Sequence, residues 1–152
     1  MSLVFVDTNI LLYRHDPRDL RKQTIAAAWV ASLASERRGR ISWQVLHEFY
    51  FKGVRKLAEH GLDIELARDD ARWLAHWNPL APDLAVFEAA WAVQDRYGFS
   101  WWDALIVATA LRQRCATLLS EDMQDGLQVE DTARDGLLRI INPFAPGAPQ
   151  PA

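Results

Sequence analysis

Short apolar segments alternate with longer amphipathic ones along this chain, and the alternation constrains the fold more than any other feature. Residues 3–6 have the composition of a buried strand, and three further short strands are predicted at 41–43, 117–119 and 137–141. Helices are predicted between them, over 16–35, 44–59, 63–77 and 82–97, with a nearly all-apolar helix that begins at Ser100. The stretch 120–136 is predicted to be a polar loop, in which Glu121 is a solvated acid. This alternation favours an α/β domain with a central, mainly parallel sheet of four to five short strands flanked by helices.

The composition indicates one domain. Half of the 152 residues are hydrophobic, which is enough for a core, and the net charge of -3 disfavours a broad, non-specific nucleic-acid binder. We expect a cytoplasmic protein, because Cys115 is the single cysteine and no apolar run reaches the ~18 residues of a membrane span. Residues 1–142 are predicted to form the domain, and residues 143–152 a flexible, proline-rich tail.

Acidic residues follow the predicted strands. Asp7 comes directly after the first strand, Glu48 within about one helical turn of the second, and Asp122 shortly after the third. Asp103 lies in the first turn of the apolar helix. Because the carboxyl ends of parallel strands meet at one edge of a sheet, we expect these four acids to gather there.

Each acid also has an ordinary structural interpretation. Asp7 alone could cap a helix, and Asp103 resembles part of a capping box that begins at Ser100. Glu48 and Asp122, taken singly, are typical of a solvated helix and a turn. Four carboxylates on one edge would repel each other, however, and no lysine or arginine lies within two residues of Asp7, Asp103 or Asp122. A divalent cation would offset the charge, and oxygen ligands favour Mg²⁺ or Mn²⁺ over zinc.

Mg²⁺ bound by carboxylates is typical of phosphoryl transfer. The sequence has no glycine motif that would bind the phosphates of a nucleotide cofactor, so a phosphodiester of a nucleic acid is the favoured substrate. Basic groups around Arg14 or Lys52 could hold backbone phosphates.

Trp73 and Trp77 lie on a helix with two apolar stripes, which suggests that a dimer partner or another protein covers one of the stripes. That surface is a hypothesis.

Four motifs resemble the PIN domain, in particular the VapC-type ribonuclease toxins of bacterial toxin–antitoxin pairs: FVDTNILLY, HEF, SWWDALIVATAL and LLSEDMQDG. The resemblance implies a three-layer fold and a Mg²⁺- or Mn²⁺-dependent endoribonuclease. The metal-binding and catalytic acids that it implies are Asp7, Glu48, Asp103 and Asp122. The polar residues that would orient them are Thr8, Asn9 and Ser120, and Asp125 is a possible additional acid.

The resemblance also implies an RNA substrate, a cognate antitoxin and a homodimer. A non-catalytic RNA- or protein-binding module of the same fold is the alternative that the sequence leaves open. A phosphatase with an aspartyl nucleophile is disfavoured, because position 9 is asparagine and no lysine follows Lys56. The missing late lysine also disfavours a receiver-type signalling domain.

Overall fold

The computed structural model describes residues 1–133 and 135–151, and a five-stranded sheet forms its centre. The strands are β1 Leu3–Val6, β2 Gly39–Arg40, β3 Cys115–Leu119, β4 Gln128–Glu130 and β5 Leu137–Ile141. Their order is β2-β1-β3-β5-β4, and every neighbouring pair is parallel except β4 with β5. The predicted α/β fold with a mainly parallel central sheet is therefore confirmed.

Helices flank this sheet. They are α1 Thr8–Tyr13, α2 Leu20–Ser35, α3 Trp43–Lys56, α4 Ile64–Leu74, α5 Leu84–Tyr97 and α6 Trp101–Arg112, with a short 3₁₀ helix at Ala58–His60. The apolar helix α6 is buried on all sides from Ala104 to Leu111, as its composition predicts. Among the residues that the structure describes, no helix is long and apolar enough to cross a lipid bilayer.

The two central strands, β1 and β3, fix where the functional edge of the sheet lies. Their registered residues Val6 and Leu119 are both fully buried, as expected for parallel strands covered on both faces. Asp7 and Ser120 follow this pair directly, and the Asp7 amide donates to the Leu119 carbonyl at 3.0 Å. The register therefore places two predicted site residues side by side at the carboxyl edge.

Helix α2 begins later than the sequence predicts. Asp16 and Pro17 were expected to start it, but Asp19 is its N-cap and accepts a hydrogen bond from the Lys22 amide at 3.0 Å. The Asp16 carboxylate instead accepts from the backbone amide and guanidinium of Arg18 and closes a turn. This turn separates α2 from α1, a short helix that the sequence analysis did not anticipate.

The second strand lies two residues before the predicted 41–43, and within the predicted segment Ser42 forms an isolated parallel bridge with Leu80. The strand β2 ends at Arg40, and Ser42 caps α3 by accepting from the Val45 amide at 3.1 Å. A serine in that role takes an extended backbone conformation, so the segment resembles a strand in sequence. The stretch 120–136, predicted to be loop, contains the short strand β4.

The segment after β5 begins with a buried aromatic residue. Phe144 is packed edge-on against Tyr13, with 5.1 Å between ring centroids, and its carbonyl accepts from the Arg21 guanidinium at 2.8 Å. The start of the proline-rich segment is therefore held against α1 and α2. The flexibility of the residues that follow stays a prediction.

Candidate active site

Asp7 ends β1 and at the same time caps α1. One carboxylate oxygen, Oδ1, accepts from the Thr8 amide at 2.7 Å, and the other, Oδ2, accepts from the Ser120 hydroxyl at 2.8 Å. The residue is only 8% exposed. The structural and functional interpretations of Asp7 are therefore compatible, because capping α1 is what fixes its carboxylate at the edge of the sheet.

Thr8 and Asn9 hold two further acids by their side chains. The Thr8 hydroxyl donates to Glu48 Oε2 at 3.1 Å, and the Asn9 amide donates to Asp122 Oδ2. Ser120 is shared, because its hydroxyl also accepts from the Asp122 backbone amide at 3.3 Å. The polar residues predicted to orient the acids thus contact them directly.

Asp103 lies in the first turn of α6, where the Ser100 hydroxyl accepts from its backbone amide at 3.3 Å. The expected Ser100 cap is present. The negative charges of Glu48 and Asp122 both act on the half-buried Asp103 carboxylate. Asp103 is therefore close enough to these acids to share one electrostatic environment with them.

The electrostatics of this edge raise two pKa values. The pKa of Asp7 rises from 3.8 to about 6, mainly because burial disfavours its charged form. The hydrogen bonds from Ser120 and Thr8 lower that pKa, whereas the charges of Glu48 and Asp103 raise it. Burial likewise raises the pKa of Asp103. The neighbouring carboxylates therefore add repulsion to the larger effect of burial, and a bound cation would relieve that repulsion.

Protein cations offset little of this charge. Among the ion pairs of residues 1–133 and 135–151, Glu48 contacts Lys52, with 3.8 Å between Oε2 and Nζ, and the other three acids contact no lysine or arginine. In the same described ranges, no group of three or more histidine, cysteine or acidic side chains is arranged so that it could hold a metal ion. The four acids lie at one edge of the sheet and influence each other electrostatically. Their side chains would have to move closer together to bind one ion.

Two of the remaining predicted site residues are engaged in other contacts. Asp125 Oδ1 accepts from the Asn142 amide at 2.8 Å and so braces the chain after β5. The Arg14 side chain is 13% exposed, pairs with Asp70 and lies over the Trp73 ring at 5.4 Å. The structure does not favour Arg14 as an RNA contact, because its guanidinium is committed to α4. Lys52 is partly exposed beside Glu48 and stays a candidate.

A cluster of three side chains beside the site could not be predicted from the sequence. Glu121 was expected to be a solvated loop acid, but it accepts from the Tyr13 hydroxyl at 2.9 Å and pairs with Lys22 at 2.7 Å. Lys22 also lies over the Tyr13 ring at 4.7 Å. These contacts tie the loop that carries Asp122 to α1 and α2. No sequence signal links Glu121 to Tyr13 and Lys22, which lie far from it in the chain.

The fold and this edge define a class of protein: a parallel α/β domain with carboxylates gathered beyond the central strands. The PIN domain family model matches residues 4–124, and the chain belongs to this family. A search of curated proteins found no match.

Solved structures share the fold. The toxin–antitoxin complex from Klebsiella pneumoniae contains a chain that is 20% identical, with a TM-score of 0.63, covering 93% of this chain and 98% of that one. VapC20 of Mycobacterium tuberculosis, a sarcin–ricin loop cleaving toxin, is 18% identical with a TM-score of 0.53, covering 78% of this chain and 89% of that one. At these identities the likeness establishes the fold.

Proposed function

We propose that this PIN domain is a metal-dependent endoribonuclease and the toxin of a toxin–antitoxin pair. The observation that carries the proposal is the buried Asp7 carboxylate, whose pKa is raised to about 6 and which shares its surroundings with Glu48 and Asp103. Such an arrangement lowers the stability of the protein when no cation is bound. Perturbed carboxylates of this kind cluster at functional sites. The structural neighbours, one in a toxin–antitoxin complex and one an RNA-cleaving toxin, support the same function.

The donor set suits Mg²⁺ or Mn²⁺, because it consists of hard carboxylate oxygens. Asp7, Asp103 and Asp122 would hold the ion, with Glu48 as a further ligand or a base for the attacking water. When bound, such an ion stabilises the charge that develops on a phosphodiester during hydrolysis. Thr8, Asn9 and Ser120 keep the carboxylates in place through the hydrogen bonds described above. Lys52, whose Nζ lies 3.8 Å from Glu48 Oε2, would contact a backbone phosphate there.

Partners are part of the proposal. Ile64, Leu66 and Trp73 expose large apolar side chains on α4, whereas Trp77 is buried. Leu66 and Trp73 are two helical turns apart and lie on one face of α4, which an antitoxin or a second copy of the chain could cover, whereas Ile64 lies on the opposite face. We also propose a cytoplasmic location, where RNA and the antitoxin would be available, and the single cysteine is consistent with a reducing compartment.

The experiment is cleavage of a mixed RNA panel by purified protein, freed of any co-purified partner, with Mg²⁺, Mn²⁺ or EDTA. Wild type is expected to cut only with metal, and Asp103→Asn to lower the rate by about 100-fold or more, because a ligand is lost. Asp95→Asn is the matched control, since Asp95 is an exposed acid on α5. In a bacterial host, wild type but not Asp103→Asn should arrest growth.

The outcomes separate the two halves of the proposal. Cleavage without growth arrest would retain the nuclease and reject the toxin. RNA binding by a folded wild type that never cuts would favour the non-catalytic module. Cleavage that continues in EDTA would contradict the metal-dependent mechanism.

A further inference from the structure

Trp102 stands next to Asp103 and is the most exposed of the tryptophans, at 64%. Together with Gln44, His47 and Glu48 it lines an open cavity of about 430 Å³. Glu48 belongs both to this cavity and to the acidic edge described above. The cavity is therefore continuous with the candidate active site.

Local packing explains why Trp102 is exposed although its neighbour is not. Trp101 packs against Phe87 at 5.3 Å and Trp91 at 6.4 Å, and so anchors the first turn of α6 to α5. Trp102 is one residue further around the helix, so it faces away from that anchor. Its carbonyl accepts from the Gln44 amide at 3.5 Å, which links the backbone at this point to α3.

The walls of the cavity suit a flat ring with a polar edge. They are predominantly apolar and include Trp102. Gln44 and His47 add an amide and an imidazole, and each of these groups can both donate and accept hydrogen bonds. A nucleobase has this combination of an aromatic face and a hydrogen-bonding edge, and stacking on tryptophan tolerates any base.

We propose that this cavity is a base-binding subsite, in which the base of a nucleotide adjoining the cleaved phosphodiester stacks on Trp102. The inference rests on the proposed function, because it takes RNA as the substrate. Continuity with Glu48 supports it: a phosphodiester held at the acids places its neighbouring nucleotides beside α3 and α6. Gln44 and His47 then act on the edge of the base, while Trp102 supplies the stacking surface.

The first test measures binding without cleavage. Asp103→Asn protein carrying 5-fluorotryptophan is titrated with short single-stranded RNA in Mg²⁺, and the Trp102 fluorine signal is assigned with an additional Trp102→Phe change. We expect the Trp102 signal to shift on titration while that of Trp73, on α4, stays in place. A Trp102 signal that stays fixed while fluorescence anisotropy shows saturated RNA binding would overturn the proposal, and so would failure of the RNA to bind.

The second test uses wild-type cleavage kinetics. Trp102→Ala should lower kcat/KM for single-stranded RNA by about 5- to 150-fold, the range that stacking of one base provides, and Trp102→Phe should recover most of the loss. Phe51→Ala is the matched control, because Phe51 is an exposed aromatic residue on α3 outside the cavity. An abasic nucleotide at the stacked position should slow wild type by a similar factor and leave Trp102→Ala unchanged.

The outcomes distinguish this inference from the proposed function. If wild type cuts RNA and Trp102→Ala cuts it equally well, the nuclease stands and the subsite is rejected. If Trp102→Ala lowers activity equally on abasic and intact RNA, Trp102 acts through folding or assembly, and the subsite is again rejected. A Trp102 signal that depends on protein concentration in the absence of RNA would instead assign the surface to a second copy of the chain.

Discussion

Replacing Asp7 with asparagine is expected to stabilise the metal-free protein near neutral pH, although most substitutions of buried residues destabilise. The carboxylate is 8% exposed, and its folded-state pKa of about 6 exceeds its ordinary value of 3.8. Between these two values the folded protein binds more protons than the unfolded chain. Stability therefore falls as the pH rises through this window, and the full penalty is present above about pH 6.

The size of the effect follows from the two pKa values. The difference between 3.8 and about 6 corresponds to about 3 kcal/mol, at about 1.4 kcal/mol for each tenfold change in the acid constant. Asparagine keeps an oxygen for the Thr8 amide and offers a donor to the Ser120 hydroxyl, so the capping contacts have a replacement. We expect Asp7→Asn to gain about 1–3 kcal/mol at about pH 8, and about half as much at about pH 5.

The assay is urea denaturation of both proteins at the two pH values, in EDTA and again in Mg²⁺. Adding Mg²⁺ should stabilise wild type more than Asp7→Asn, because only wild type keeps the full ligand set. Asp95→Asn, which neutralises an exposed acid, should change stability little at either pH. If Asp7→Asn loses the same stability at both pH values, the charge on Asp7 is not what destabilises the wild-type protein.

Two further substitutions test the packing of β2 against Trp77 and the ion pair beside the site. Gly39→Ala should lower the free energy of unfolding by about 1–3 kcal/mol, because a β-carbon would overlap the Trp77 ring. Urea titrations should show a smaller loss when Trp77→Leu is present in the same chain. Glu121→Gln should lower the free energy of unfolding by about 1 kcal/mol by weakening the contacts with Lys22 and Tyr13. This second loss should shrink in high salt, and a salt-independent loss would contradict an electrostatic origin.

The sequence was sufficient to predict the edge of the sheet where the acids gather, because that prediction depends on periodicity and on parallel strands alone. Asp7 and Ser120 become neighbours through the register of Val6 with Leu119, and no side-chain detail is needed for it. The error at 41–43 has a local cause. Ser42 has the extended backbone of a strand residue, but its hydroxyl caps α3.

Contacts between side chains from distant segments could not be predicted in the same way. Arg14 was expected to be available for RNA, yet Asp70, 56 residues further along, occupies its guanidinium. Glu121 was expected to be solvated, yet it meets Tyr13 across 108 residues. Charge and spacing in one segment do not reveal a partner in another, so the sequence predicted the positions of the acids in the fold better than the contacts of the basic residues.

The consecutive residues Asp7, Thr8 and Asn9 show how a short segment organises a site built from the whole chain. Asp7 is bound by Ser120 after β3, Thr8 contacts Glu48 on α3, and Asn9 contacts Asp122. All three belong to the start of α1, whose first turn fixes their relative directions. A turn that only reversed the chain would need one cap, whereas this one places three separate hydrogen-bonding groups against two different segments, helix α3 and the loop after β3. That distribution is what an acidic site requires, because each carboxylate must be held against the repulsion of the others.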